Sequence, residues 1–267
     1  MEEISELLLR LAQAGQVPIY TAALVFVRIG TAAFLLPGFG STMIPARVRL
    51  AAALALSVIV WPAVYPSVAA LPGLEGASGI TLARYMGAEA MIGTIIGMGA
   101  RFIIMSLQLA GSIAAQSTSI SQIFGAGVTP DPMPAIGNVL VVSALALAFS
   151  QGLHIKVAIT LMRSYEVAAP GVFPDPTALT QWGVERVAGA FALAFGLAAP
   201  FVAAAFAYNV ALGAINRAMP SLMVAFVGAP AITAGAMLLL IFAGPPMLIF
   251  WTGKLDTALS DPLGPSP

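Results

Sequence analysis

Several ionisable side chains stand inside long apolar stretches of this chain or at their ends, among them Arg28, Glu89, Arg101, His154, Lys156 and Arg217. An isolated charge at bilayer depth costs at least ~2.5 kcal/mol on insertion scales, so each must face a bundle interior, a partner or water. Groups so placed either carry protons or solutes across a barrier, or pair between helices and reach the interface from helix ends. Glu89 is followed by Gly93 and Gly97 at helical spacing. That strips side chains from its face and predicts close helix contact beside the carboxylate, which then serves in an interhelical hydrogen bond or as a proton relay.

Other chemistries find little support. His154 is the sole histidine and Cys is absent, so a metal site would need carboxylates that do not cluster near His154 in sequence. A triad of Ser150 or Ser164 with His154 and Glu166 can be drawn, but neither serine lies in a nucleophile elbow and no oxyanion loop is recognisable. No glycine-rich loop of the nucleotide-cradling kind is present. The sequence therefore implies no enzyme and no cofactor.

A different signal lies between Gln108 and Gln122, where Gln108, Ser112, Gln116, Ser117, Thr118, Ser119, Ser121 and Gln122 make the chain polar without charge. Ile120, Ile123 and Phe124 accompany them before Gly125-Ala126-Gly127 breaks the pattern. Uncharged polar backbone at membrane depth is tolerated only where protein buries it or where it lines an aqueous cavity. A pore-occluding segment fits, and so does an ordinary exposed loop. The twelve methionines, among them Met86, Met91, Met98 and Met105, supply adaptable apolar filling, either of a core or of a deformable seal.

The elements that carry these residues are helices. Hydrophobic residues form 60% of the 267 and charged residues 8%, whereas a soluble domain carries roughly a quarter charged residues. Apolar segments run from Ile19 to Leu36, Leu50 to Val64, Tyr85 to Ala115, Ile136 to Met162, Val184 to Ile215 and Val224 to Trp251. Their length and their Ala, Leu and Met content predict an all-α, membrane-associated protein of about six hydrophobic segments. Pro and Gly punctuate the connections Pro37 to Pro45, Pro66 to Gly79, Gly125 to Pro134 and Pro170 to Pro176. No internal repeat or long linker divides the chain, so residues 1–260 are read as one helical domain and 261–267 as a disordered tail.

Met1 to Arg10 holds Glu2, Glu3 and Glu6 against one arginine, the reverse of a signal peptide's charge, and is expected to be retained as a short amphipathic lead-in. The 11 basic and 11 acidic side chains cancel, which gives nucleic acid and anionic surfaces no basic run to bind. Basic residues fall on both sets of loops, so charge bias assigns no orientation.

From Arg28 through Leu36-Pro37-Gly38-Phe39-Gly40 to Ile44-Pro45-Ala46-Arg47-Val48-Arg49-Leu50-Ala51, the chain resembles the FliR family, the R subunit of the flagellar type III export gate. Glu89 with Gly93 and Gly97, Ala110-Gly111 followed by Gln116, Asp131-Pro132, Gly152-Leu153-His154, and Asn216-Arg217 with Pro220, Leu222, Gly228 and Pro230 continue the likeness along nearly the whole chain. Ser221, Met223 and Ala229 depart from it. The resemblance implies kinked helices and hairpins that join P and Q subunits in a funnel, contacted by the B subunit and underlain by the A subunit, in the bacterial inner membrane at the flagellar basal body. Unfolded flagellar proteins would pass through its centre, with Gln116, Ser117, Thr118, Ser119, Ile120, Ser121, Gln122, Ile123 and Phe124 as a plug. Arg28, Glu89, Gly93, Gly97, Arg101 and Arg217 are then expected at subunit contacts, where pairing relieves charges that lipid would not tolerate. Two alternatives remain: the T subunit of an injectisome, and, in another class, a secondary transporter for a small solute, which would show related halves.

Overall fold

The computed structural model describes residues 2–40, 44–118, 135–219 and 224–264. Every regular element among them is an α-helix: α1 Glu2–Leu35, α2 Ala46–Ala69, α3 Gly79–Thr118, α4 Ala135–Ser150, α5 Leu153–Val167, α6 Pro176–Ala218 and α7 Val224–Ser260. Five of them are long and apolar enough to cross a membrane, and α4 with α5 makes a sixth if that pair is one broken span. The all-α, membrane-associated class expected from composition is thus the class observed.

Several boundaries differ from the sequence expectation. The segment Ile136 to Met162 is two helices rather than one, bent by 75° where α4 meets α5. Gly152 sits there at φ +80°, a left-handed conformation that side chains resist and glycine accepts, and its carbonyl starts α5 by accepting from the Ile155 and Lys156 N–H groups. Conversely, Pro66, read from sequence as opening a connection, does not end α2, which continues to Ala69; Pro62 lies within the same helix, and Pro18 and Pro200 lie within α1 and α6. Each removes one ladder donor, a loss that apolar helices with packed neighbours absorb. Helix α1 begins at Glu2, so the acidic lead-in is continuous with the first apolar stretch.

Two compact units can be distinguished. The first comprises Met1–Arg101, Gly152–Arg186 and Asp256–Pro267; the second comprises Phe102–Gln151 and Val187–Leu255. In the first, Leu24, Ile29, Ala32, Val60, Ile92, Ile96 and Leu161 are buried, and the Trp61 indole N–H donates to Thr21 Oγ1 at 3.1 Å. In the second, Leu107, Leu140, Ala144, Phe201 and Trp251 form the interior. There Trp251 Nε1 donates to the Ile103 carbonyl at 2.7 Å, and a Cβ at Gly111 would collide with the backbone of Gly137. Bare backbone at that crossing lets α3 and α4 touch.

Of the tail, residues 261–264 are described. Residues 261–264 form turns, and the buried Arg186 donates from Nη2 to the carbonyls of Asp261 at 3.1 Å and Gly264 at 2.8 Å. Trp182 Nε1 adds a bond to the Pro262 carbonyl at 3.2 Å. A buried guanidinium needs acceptors; the backbone supplies them to Nη2, while Nε and Nη1 are buried with no hydrogen-bond partner among the described residues.

Candidate functional site

Arg28 of α1 and Glu89 of α3 are fully buried in the first unit and pair with each other. Arg28 Nε donates to Glu89 Oε2 at 2.6 Å and Nη2 to Oε1 at 3.1 Å, a two-pronged contact that matches the planar guanidinium to the carboxylate. The remaining donor capacity goes to the end of α5: Nη1 reaches the Ser164 carbonyl at 3.2 Å and its hydroxyl at 3.3 Å, and the Ala168 carbonyl at 3.2 Å. Above the guanidinium lies the Tyr165 ring, 3.7 Å from Cζ to the centroid, which adds a cation–π contact. Glu89 Oε1 also accepts from the Gly171 N–H at 2.8 Å.

Local sequence explains how these groups meet. Gly93 lies one turn beyond Glu89, and a Cβ there would collide with the Arg28 carbonyl and Thr31 Oγ1; at Gly97 it would come within 2.7 Å of Leu35 Cβ and 2.8 Å of the Ala32 carbonyl. Helices α1 and α3 therefore approach closely enough for a short, buried ion pair. Gly171 holds φ at +68°, and a side chain there would come within 2.6 Å of the Tyr85 ring and 2.9 Å of Leu71. Glycine is needed to turn the connection after α5 so that its N–H meets Glu89. Three elements distant in sequence are thereby tied at one charged knot.

Arg28, Glu89, Gly93 and Gly97, expected from sequence at contacts with other subunits, all lie at the α1–α3 crossing within the chain. The interhelical hydrogen bond anticipated beside Glu89 is present. Both carboxylate oxygens are occupied and shielded from solvent, an arrangement suited to a fixed tie. Arg101 and Arg217 are instead exposed, and neither forms an ion pair among the described residues. His154 is also exposed. Lys156 pairs with Asp256 at 2.7 Å.

Of the polar segment, Gln116, Ser117 and Thr118 form the last residues of α3, where the Ser117 and Thr118 hydroxyls donate to the Ala114 carbonyl at 2.8 Å and 3.0 Å. Ser119, Ile120, Ser121, Gln122, Ile123 and Phe124 lie outside the described residues, as do Asp131, Pro132, Pro220, Ser221, Leu222 and Met223. Sequence reasoning missed Gly171, Arg186 and Asp256. Gly171 stands in a Pro-Gly pair that marks a turn, but a turn signal says nothing about what its N–H will meet.

A model of the family described as bacterial export proteins, family 1, matches residues 19–258. The chain belongs to that family. Over 88% of its length this export protein is 31% identical to a flagellar biosynthetic protein FliR from Caulobacter vibrioides, covering 93% of that relative. Over 82% it is 29% identical to the FliR protein of Bacillus subtilis, covering 83% of it. A Yop proteins translocation protein T from Yersinia pestis is 30% identical over 67% of the export protein and 69% of the relative. The likeness to FliR read from Arg28, the Pro-Gly connection and the Glu89 face thus extends along the chain.

Proposed function

We propose that this export protein is a non-enzymatic subunit of the flagellar type III export gate, which joins P- and Q-type subunits around a conduit for unfolded flagellar proteins, next to the B and A components in the inner membrane. The observation that carries the proposal is the family match over residues 19–258. The coverage of 88% with a flagellar relative, against 67% with the translocation protein T, favours the flagellar over the injectisome reading.

Surface chemistry supports an assembled state. The most apolar window of a candidate span is buried within the chain to between 22%, in Ala231–Ser260, and 61%, in Gly79–Thr118. Phe191, Phe195, Phe206, Phe242 and Phe250 are all exposed, a surface that lipid or companion helices must cover. Arg101 and Arg217, exposed and without an ion pair among the described residues, take the role of subunit contacts in this proposal, and Gln116 to Phe124 that of the plug. Purification of the tagged chain in mild detergent should bring along small hydrophobic gate subunits; recovery as a solitary chain from cells that assemble flagella would refute the reading. Removing residues 117–124 should make the membrane leak small solutes, and unchanged leakage would remove the plug from the proposal.

A further inference from the structure

Main-chain oxygens hold the turn at residues 261–264 to the first unit. Arg186 Nη2 donates to the carbonyls of Asp261 at 3.1 Å, Pro262 at 3.4 Å and Gly264 at 2.8 Å, and Trp182 Nε1 donates to that of Pro262 at 3.2 Å. Three carbonyls thus share the protons of one nitrogen, while Nε and Nη1, also buried, meet no acceptor among the described residues. A buried cation so served is only partly compensated. The acids nearby in sequence are turned to other uses. Glu185 accepts from the Gln181 amide at 3.1 Å, and the Asp261 carboxylate lies against its own turn, where a Cβ at Gly264 would collide with it. The ion pairs among the described residues, Arg28–Glu89 and Lys156–Asp256, do not involve Arg186.

We propose that the turn is a displaceable strap over a carboxylate receptor, and that an acidic segment of a neighbouring protein opens it by taking Arg186. Geometry makes the two occupants exclusive. A carboxylate grips a guanidinium with two prongs along the Nε–Nη2 edge, as Glu89 does with Arg28, or along the Nη1–Nη2 edge. Both edges include Nη2, the nitrogen on which the turn's carbonyls converge. A carboxylate in their place gives the unused donor of its edge an acceptor, and sets a full negative charge where the turn offers carbonyl dipoles. The carbonyls are tethered beside Arg186 and hold it until a charged competitor is presented at high local concentration. The strap also has a fixed root: Thr160 Oγ1 donates to the Leu259 carbonyl at 2.7 Å and Lys156 pairs with Asp256, so the end of α7 stays seated while residues 261–264 swing clear. Opening uncovers Trp182 beside Arg186, two residue types that anchor protein–protein contacts. None of this depends on what the gate conducts.

Fluorine NMR of the full chain in mild detergent, with 5-fluorotryptophan in place of tryptophan, reads the strap. The chain has three tryptophans, so Trp182 reports the turn while Trp61 and Trp251 report the fold. The probe is end-blocked tetraglutamate, with end-blocked tetraglutamine as its control. Tetraglutamate should shift the Trp182 resonance and leave the other two in place. Arg186→Gln should set Trp182 at the shifted position without peptide and weaken tetraglutamate binding at least about tenfold, the scale of a lost charge-assisted contact. Gly264→Ala keeps Arg186 but drives a methyl into the Asp261 carboxylate; by loosening the strap it should strengthen tetraglutamate binding severalfold, a gain that a merely structural turn would not give. A Trp182 resonance unmoved by saturating tetraglutamate would overturn the proposal, as would an equal shift from tetraglutamine or from acetate at the same carboxylate concentration. So would Asp261→Asn moving Trp182 to the open position without peptide, because the chain's own carboxylate would then be what serves Arg186.

Discussion

Replacing Glu89 by Leu should be among the most damaging single changes in this protein, for reasons that can be set out atom by atom. It removes the two contacts at 2.6 Å and 3.1 Å to Arg28 and the 2.8 Å bond from the Gly171 N–H. Arg28 stays fully buried, left with the neutral oxygens of Ser164 and Ala168 and the Tyr165 ring. Breaking one side of a buried pair costs about 3–5 kcal/mol because an uncompensated charge remains. Arg28→Met alone should cost a similar amount by stranding the carboxylate. The double variant Arg28→Met/Glu89→Leu should be more stable than either single variant, since neither charge is then stranded. It should not reach the parent's stability, because the Gly171 N–H keeps no partner, an omission worth about 1–3 kcal/mol. A double-mutant cycle on the full chain in mild detergent, read by thermal unfolding of each variant, measures the coupling. Additive single effects, or a Glu89→Leu chain as stable as the parent, would refute the account of the knot as a tie between α1, α3 and α5.

Gly93→Ala should destabilise by about 1–3 kcal/mol, because its methyl meets the Arg28 carbonyl and Thr31 across the crossing. Gly196→Ala, at a position with open space around it, should stabilise by up to about 1 kcal/mol; thermal unfolding of the pair checks both signs. Asp256→Asn should change stability by less than about 1 kcal/mol, since Lys156 and Asp256 are 34% and 44% exposed, and a larger loss would show that this pair is shielded from water. Trp251→Phe should cost about 1–3 kcal/mol by leaving the buried Ile103 carbonyl without its donor, measurable by the same melts.

The all-helical class, the apolar character of the segments and a length fit to cross a membrane were legible in the sequence, because helix length and composition are local properties. So was the closeness of a neighbour beside Glu89, since Gly93 and Gly97 at one-turn spacing permit little else. Neither the two-helix division at Gly152 nor the continuation of α2 past Pro66 was legible. Gly and Pro state that a backbone is able to break, and only the surrounding contacts decide whether it does.

Partnership was the other matter left to the tertiary structure. The sequence established that Arg28, Glu89, Arg101 and Arg217 are too costly to leave bare in lipid, and that constraint holds in any fold. It could not choose between a companion subunit and the chain's own helices as the source of relief. Arg28 and Glu89 are 61 residues apart, and the oxygens of Ser164 and Ala168 are 136 and 140 residues from Arg28. No periodicity links such positions; they meet because glycine-bare faces let α1 and α3 come together and because the chain turns at Gly171. Arg101 and Arg217 remain outside that arrangement and exposed, and among the described residues neither pairs with an acidic side chain.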